Sequence, residues 1–205
     1  MLRISGGQLC GRRLASPAKD QSLRPTTERV REALFSMLAD RLPGAQVLDL
    51  FAGTGMLGLE ALSRGAGRVL LVEHHPAAQR LIRTNMARCG IEPCGHQQRA
   101  LLMAASVGTP TAVTRLQAIA ADWGPFDLVL MDPPWQEDQA LIPAALTLLA
   151  HDAVLQAGAW VVAEHESPTV VADDPPWHRI RQRRYGRTWI TIWAYERSCS
   201  AASMA

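Results

Sequence analysis

Short apolar runs alternate along the chain with stripes of apolar residues at helical spacing. After a Gly-rich arm from residue 4 to about 23, Val30, Ala33, Leu34, Met37 and Leu38 share one face of a helix predicted over about 27–42. Thr26 or Thr27 serves as its cap and Pro43-Gly44 as its stop. Residues 47–51 read as a buried strand, followed by a Gly-rich turn and a helix near 57–63. Residues 68–73 form the next strand, and Pro76 opens another helix, where proline suits the first turn. The stretch 91–111 has no clear period, and a short strand is expected near 114–119. A buried strand at 126–131, a helix over about 139–150 and a strand at 159–164 follow. Residues 177–185 and 187–195, hinged at Gly186, read as a β-hairpin.

Strands that alternate with helices and are apolar nearly throughout imply an α/β fold, a doubly wound sheet that is parallel over most of its width. In such sheets a ligand binds at the carboxyl ends of the strands. The chemically informative residues fall at those ends. The division expected is a basic N-terminal arm and helix over 1–45, one catalytic domain over 46–197, and a disordered tail over 198–205.

The turn after the first strand reads Asp49-Leu-Phe-Ala-Gly-Thr-Gly-Met-Leu-Gly58. Gly53, Gly55 and Gly58 satisfy a dinucleotide-binding spacing, and Glu73 closes the next strand at the distance suited to a ribose. That pattern admits a nicotinamide enzyme, and equally a turn that merely packs a helix on a strand. Two features point elsewhere. Asp49 lies inside the strand, where a dinucleotide has no use for a carboxylate but a ligand with a cationic amino-acid tail does. Downstream, the strand 126–131 runs into Asp132-Pro133-Pro134-Trp135. The same four residue types recur at Asp174-Pro175-Pro176-Trp177 after a charged stretch, where a rigid loop is expected. The tetrapeptide is therefore informative by its place at a strand end and not by its letters alone.

An exocyclic amine on a nucleobase is a poor nucleophile because its lone pair is delocalised into the ring. A carboxylate and a backbone carbonyl that accept its N–H groups hold it and direct the lone pair toward a methyl donor. Proline fixes the backbone there, and a neighbouring Trp stacks on a base drawn out of its helix. No metal is needed. Cys10, Cys89, Cys94 and Cys199 include no Cys-x-x-Cys pair, and the adjacent His74-His75 is a poor chelate.

Charge adds a second theme. Residues 1–31 carry seven cations against two acids, and residues 177–197 carry six against one, so each end is +5 within a net +2 and the middle is acidic. Of 21 cations only Lys19 is lysine. Arginine contacts phosphate in a bidentate manner and stacks on bases, so the segregated ends fit a polyanion. The expected RNA-binding residues are Arg3, Arg12, Arg13, Arg24, Arg29, Arg183 and Arg184. No apolar run approaches the roughly 20 residues of a membrane span, and no secretory signal is evident, so a cytoplasmic protein is expected.

The two motifs resemble those of class I S-adenosylmethionine-dependent amino-methyltransferases. Gly6-Gly-Gln-Leu-Cys-Gly-Arg-Arg-Leu14, the block Leu23-Arg-Pro-Thr-Thr-Glu-Arg-Val-Arg-Glu-Ala-Leu-Phe35, the run 57–65 and Arg184-Tyr-Gly-Arg-Thr188 are similar to the RsmD family of bacterial 16S ribosomal RNA guanine-N2 methyltransferases. The resemblance implies a seven-stranded Rossmann-like mixed sheet. It implies S-adenosylmethionine as cofactor, S-adenosylhomocysteine as product, and a guanine of 16S rRNA within a 30S subunit or assembly intermediate as substrate, with no membrane and no obligate protein partner. By position, Asp49, Phe51, Ala52, Gly53, Thr54 and Gly55 would line the methionine end of the cofactor. Glu73 and His74 would meet the ribose, and Asp132, Pro133, Pro134 and Trp135 would handle the guanine. Near the adenine the family has a polar residue after its third strand, whereas Leu116-Gln-Ala-Ile119 stands here, which leaves Gln117 and Ala118 as the expected contacts. DNA adenine-N6 and protein glutamine-N5 methyltransferases share parts of this pattern. The first group usually adds a recognition domain, and the second favours Asn at the Asp132 position.

Overall fold

The computed structural model describes residues 2–16, 28–92, 99–134, 137–151, 153–166 and 174–196. Seven strands form one sheet: β1 (Gln46–Asp49), β2 (Arg68–Glu73), β3 (Ala100–Ala104), β4 (Phe126–Met131), β5 (Leu155–His165), β6 (Trp177–Tyr185) and β7 (Thr188–Tyr195). Their order is β3-β2-β1-β4-β5-β7-β6. The first five run parallel, and β7 is antiparallel to both β5 and β6. The winding reverses between β1 and β4, which leaves a crevice beyond their carboxyl ends.

Period-two alternation distributes the strands between two cores. Val47, Val69, Leu71, Leu128 and Leu130 meet helices α1 (Glu28–Met37), α2 (Met56–Ser63) and α3 (Pro76–Arg88) on one face. Leu48, Leu70, Val72, Val129 and Met131 meet α4 (Pro110–Trp123) and α5 (Asp138–Leu149) on the other. The arm lies on the first face. It is a small hairpin bridged at Arg3 and Arg13, and its Leu2, Ile4 and Leu14 share the core with α1. It is fastened to α2, where Ser5 donates through N and Oγ to the fully buried Glu60 (2.8 Å each) and Gln8 N donates to Ser63 O (2.7 Å).

One predicted element is corrected. The strand expected at 114–119 lies inside helix α4. Thr109 caps that helix by accepting from Ala112 N (3.3 Å), Pro110 occupies its first turn, and Ala112, Leu116 and Ala120 bury a stripe spaced by four residues. The third strand is β3, in the stretch that shows no clear period. The first helix is shorter than expected, ending at Met37 before a 3-10 turn over Ala39–Arg41. The second Asp-Pro-Pro-Trp forms a turn that leads into β6, with Trp177 N donating to Asp174 O (2.9 Å). The hairpin of β6 and β7 turns at Gly186 (φ +64) as expected. Among the described residues no helix is long and apolar enough to cross a membrane. The residues 198–205 lie outside those described.

Candidate active site

The chain leaves β1 at Asp49 and turns through residues 50–55 into α2. Gly53 (φ +55) and Gly55 (φ +78) adopt the left-handed conformation that a side chain resists, which lets the turn close within a few residues. Gly58, on the first turn of α2, has a different function. A Cβ there would meet Leu71 Cδ2 at 2.5 Å and Val69 Cγ1 at 2.9 Å, so its absence lets the helix sit directly on the sheet. That approach brings Gly58 N within 2.9 Å of Asp49 Oδ2.

Asp49 is therefore held by one oxygen, while its other oxygen, Oδ1, is buried and has no hydrogen-bond partner. Burial raises its pKa, and the nearby carboxylates of Asp132 and Glu73 raise it further. The hydrogen bond from Gly58 N opposes them, the nearby Phe51 N–H adds a smaller pull in the same direction, and the result is a shift from 3.8 to about 7. A buried acceptor without a donor costs free energy. Asp132 at the end of β4 and Glu73 at the end of β2 thus both act on Asp49 at the end of β1.

Glu73 ends β2 and is buried, with both oxygens engaged. Oε2 accepts from Gly53 N (2.9 Å) and Oε1 from His75 N (2.7 Å). Its carboxylate thereby fixes the Gly-rich turn against the next loop. His74, largely exposed, has Nδ1 3.3 Å from Glu73 Oε1. Ala52 is tied to β2 through its N–H to Val72 O (3.0 Å), and Gly55 N donates to Ala52 O (2.6 Å). Phe51, Ala52, Gly53, Thr54 and Gly55 thus form one continuous rim beside Asp49 and Glu73.

On the β4 side, Asp132 is half-buried, Pro133 is buried and Pro134 is exposed. Pro134 O accepts from Glu137 N (2.9 Å). The far end of this loop is anchored by Asp138, a buried residue at the start of α5 whose Oδ2 accepts from Glu166 N beyond β5 (2.8 Å). Trp135 lies outside the described residues.

Gln117 and Ala118 do not join this group. They occupy the outer, solvent-facing side of α4, because the helix buries Leu116 and Ala120. Their assignment as adenine contacts loses its basis, since the residues that follow the third strand are Ala105 and Ser106. Ala105 N donates to Glu73 O (3.3 Å).

Two polar residues that the motifs did not single out support the site. Asn85, fully buried on α3, accepts from Ala15 N (2.7 Å) and donates to Ala15 O (3.1 Å) and to Thr54 O (2.9 Å), joining the arm to the Gly-rich turn. Glu60 anchors the arm on α2. Both were visible as polar residues inside apolar helical faces, Asn85 between Ile82 and Met86 and Glu60 between Leu59 and Ala61.

The expected RNA-binding arginines are spread over the surface. Arg3 pairs with Glu28 (3.0 Å), and Arg12 donates to Arg88 O at the end of α3 (2.8 Å). Arg184 donates to Gly186 O (2.8 Å) and lies 5.8 Å from the Trp189 ring centroid. Arg13, Arg29 and Arg183 are exposed, and Arg24 lies outside the described residues.

Comparison with known proteins agrees with this architecture. The chain matches, over residues 2–194, the model of the family described as Conserved hypothetical protein 95. It is 33% identical over 208 residues to Ribosomal RNA small subunit methyltransferase D of Escherichia coli K12, covering 100% of this chain and 94% of that protein. A solved structure of a hypothetical protein from Thermus thermophilus superposes with a TM-score of 0.71 at 32% identity, covering 94% of this chain and 98% of that one. The rRNA methyltransferase AviRa of Streptomyces viridochromogenes shares the fold at 19% identity, with a TM-score of 0.63 and 90% of each chain covered. An Asp-bearing first strand, a Gly-rich turn and Asp-Pro-Pro at the end of the fourth strand, carried on a chain aligned end to end with such relatives, place it in the RsmD family of small-subunit ribosomal RNA methyltransferases.

Proposed function

We propose that the chain transfers a methyl group from S-adenosylmethionine to the exocyclic N2 amine of a guanine in 16S rRNA, carried in a small subunit or its assembly intermediate in the cytoplasm. The observation that carries this reading is the buried Asp49 Oδ1 without a donor, in the shared field of Asp132 and Glu73. One carboxylate suits a cationic amino-acid tail, a second suits ribose hydroxyls, and a third stands where a base amine would enter. The chemistry of this set fits the cofactor.

S-adenosylmethionine, when bound, supplies a methyl on a sulfonium that becomes a neutral thioether when the methyl departs. Everything else is the work of the chain. Asp49 would hold the amino group of the tail, and Glu73 would accept from the ribose with lone pairs not used by Gly53 and His75. Ala105, the first residue after β3 and bonded to Glu73 O, would border the adenine. Asp132 accepts one N–H of the guanine amine. Pro134 O already serves Glu137, so the second acceptor falls to the carbonyl of Pro133. Held by two acceptors, the amine nitrogen would turn its lone pair out of the ring, and Asp132 would take the proton that the nitrogen loses on methylation. Trp135 is assigned to stacking on the extruded base.

The test is incubation of the purified protein with methyl-labelled S-adenosylmethionine and under-modified small subunits, followed by mass spectrometry of the nucleosides. Label in N2-methylguanosine of 16S rRNA is the expected result. Label only in N6-methyladenine of added DNA, or only in glutamine of added protein, would replace this reading with another.

A further inference from the structure

The two faces of the sheet differ in charge. On one face the arm, α1 and α3 expose Arg13, Arg29, Arg80 and Arg83 among other arginines, with Glu28 and Glu32 as the acids of α1. On the other face α4 and α5 together carry a single arginine, Arg115, and its Nη1 donates to Ala104 O (2.8 Å).

The edge strand β6 is divided between these faces by one residue. In the sequence Arg179, Arg181 and Arg183 alternate, which in a regular strand would point all three the same way. The pairing with β7 is instead shifted between Arg179 and Arg181, a bulge that leaves Ile180 as an exposed large apolar side chain, 41% accessible. Arg179 stands opposite Trp193, whose side chain belongs to the α4–α5 core. Beyond the bulge, Arg181 stands opposite Ile192 and Arg183 opposite Ile190, and both isoleucines belong to the core under α1. The bulge therefore turns Arg181 and Arg183 onto the face that already carries the basic arm and helices. Arg184, opposite Trp189, is left on the other face.

We propose that the substrate RNA docks on the α1–α3 face alone. In this arrangement Arg181 and Arg183 grip its backbone about 14 Å from β4, three strand spacings away, while the target nucleotide turns over the strand ends toward Asp132. The inference rests on the reading of the chain as an RNA methyltransferase and adds the direction from which the RNA arrives. The ligand class follows from charge complementarity. Exposed guanidinium groups set along one face, in excess over Glu28 and Glu32, fit a sequence-independent row of phosphates. Arg184, engaged with Gly186 O and Trp189, leaves the expected RNA-binding set.

The test compares Arg181→Glu/Arg183→Glu with Arg179→Glu, which reverses charge on the opposite face of the same strand. Binding of deproteinised 16S rRNA and of small subunits is measured over a range of salt. Calorimetry with S-adenosylhomocysteine and a thermal melt serve as controls. The double variant is expected to bind rRNA at least tenfold more weakly near physiological salt, with a log–log salt slope shallower by about 2. Its melting and S-adenosylhomocysteine affinity should not change, and Arg179→Glu should stay within about twofold of wild type. Equal losses on the two faces, or an unchanged double variant, would overturn the inference. So would a loss confined to whole subunits with rRNA binding intact, since the partner of this face would then be a ribosomal protein. Failure of the wild-type protein to label any RNA would instead strike the functional reading.

Discussion

Replacing Asp49 by Asn separates what the crevice costs the fold from what it does for the ligand. Asp49 is 1% exposed, and its pKa lies at about 7 against 3.8 in an unfolded chain. The folded protein therefore binds more protons than the unfolded chain between these values. Stability falls as pH rises from about 4 to about 7 and is level above that range. The difference corresponds to about 4 kcal/mol of destabilisation once the carboxylate is ionised in both states. Asn is neutral throughout. Its Oδ1 still accepts from Gly58 N, and its amide group takes the place of the oxygen that had no donor.

The variant should match wild type near pH 4 and exceed it by up to about 4 kcal/mol at pH 8. In a chain of this size that is a rise in melting temperature on the order of 10 °C. Binding should move the opposite way. Wild-type affinity for S-adenosylmethionine should increase as pH rises through about 7, because the ionised carboxylate is the form that meets the amino group. The Asn variant should lose about a hundredfold in affinity and have a flat pH profile, about 3 kcal/mol of lost ion pairing. Thermal melts and calorimetric titrations from pH 4.5 to 8.5 read both. A variant less stable than wild type at pH 8, or one that retains its affinity, would refute the reasoning.

The remaining predictions concern the supports of the site. Asn85→Ala removes three hydrogen bonds between the arm and the turn, and should cost about 2–3 kcal/mol in denaturant unfolding. Proteolysis in the arm should speed up, and ligand affinity should fall through the freed Thr54 carbonyl. An arm as protected as in wild type would show that other contacts fasten it. Arg13→Glu should weaken rRNA binding and reduce the log–log salt slope by about 1. Arg12 is unsuited to that test because it also bonds Arg88 O at the end of α3.

The candidate site at the carboxyl edge of the sheet was legible because local patterns encode it. Asp49 and Asp132 each sit where an apolar strand meets a turn, and such junctions locate the crevice of a doubly wound sheet. The third strand was obscured because the β-branched and apolar residues near 114–119 suggest extended structure. The helix there is specified by the Thr109 cap, Pro110 and burial at every fourth residue. The bulge at Ile180 was hidden, since the letters of β6 alternate regularly and only its pairing with β7 introduces the shift. The functions of Asn85 and Glu60 depend on an arm that returns from more than 50 residues away. Periodicity marks such residues as anomalies on apolar faces without naming their partners.

The central claim is that the cofactor's tail and the target amine are held by different carboxylates at one sheet edge. Asp132→Ala, assayed for S-adenosylmethionine affinity by calorimetry and for label transfer to small subunits, tests this most directly. The account predicts affinity within a few-fold of wild type and transfer reduced by at least a hundredfold, about 3 kcal/mol of lost transition-state stabilisation. Transfer that persists near the wild-type rate, or affinity and transfer that fall together, would contradict it.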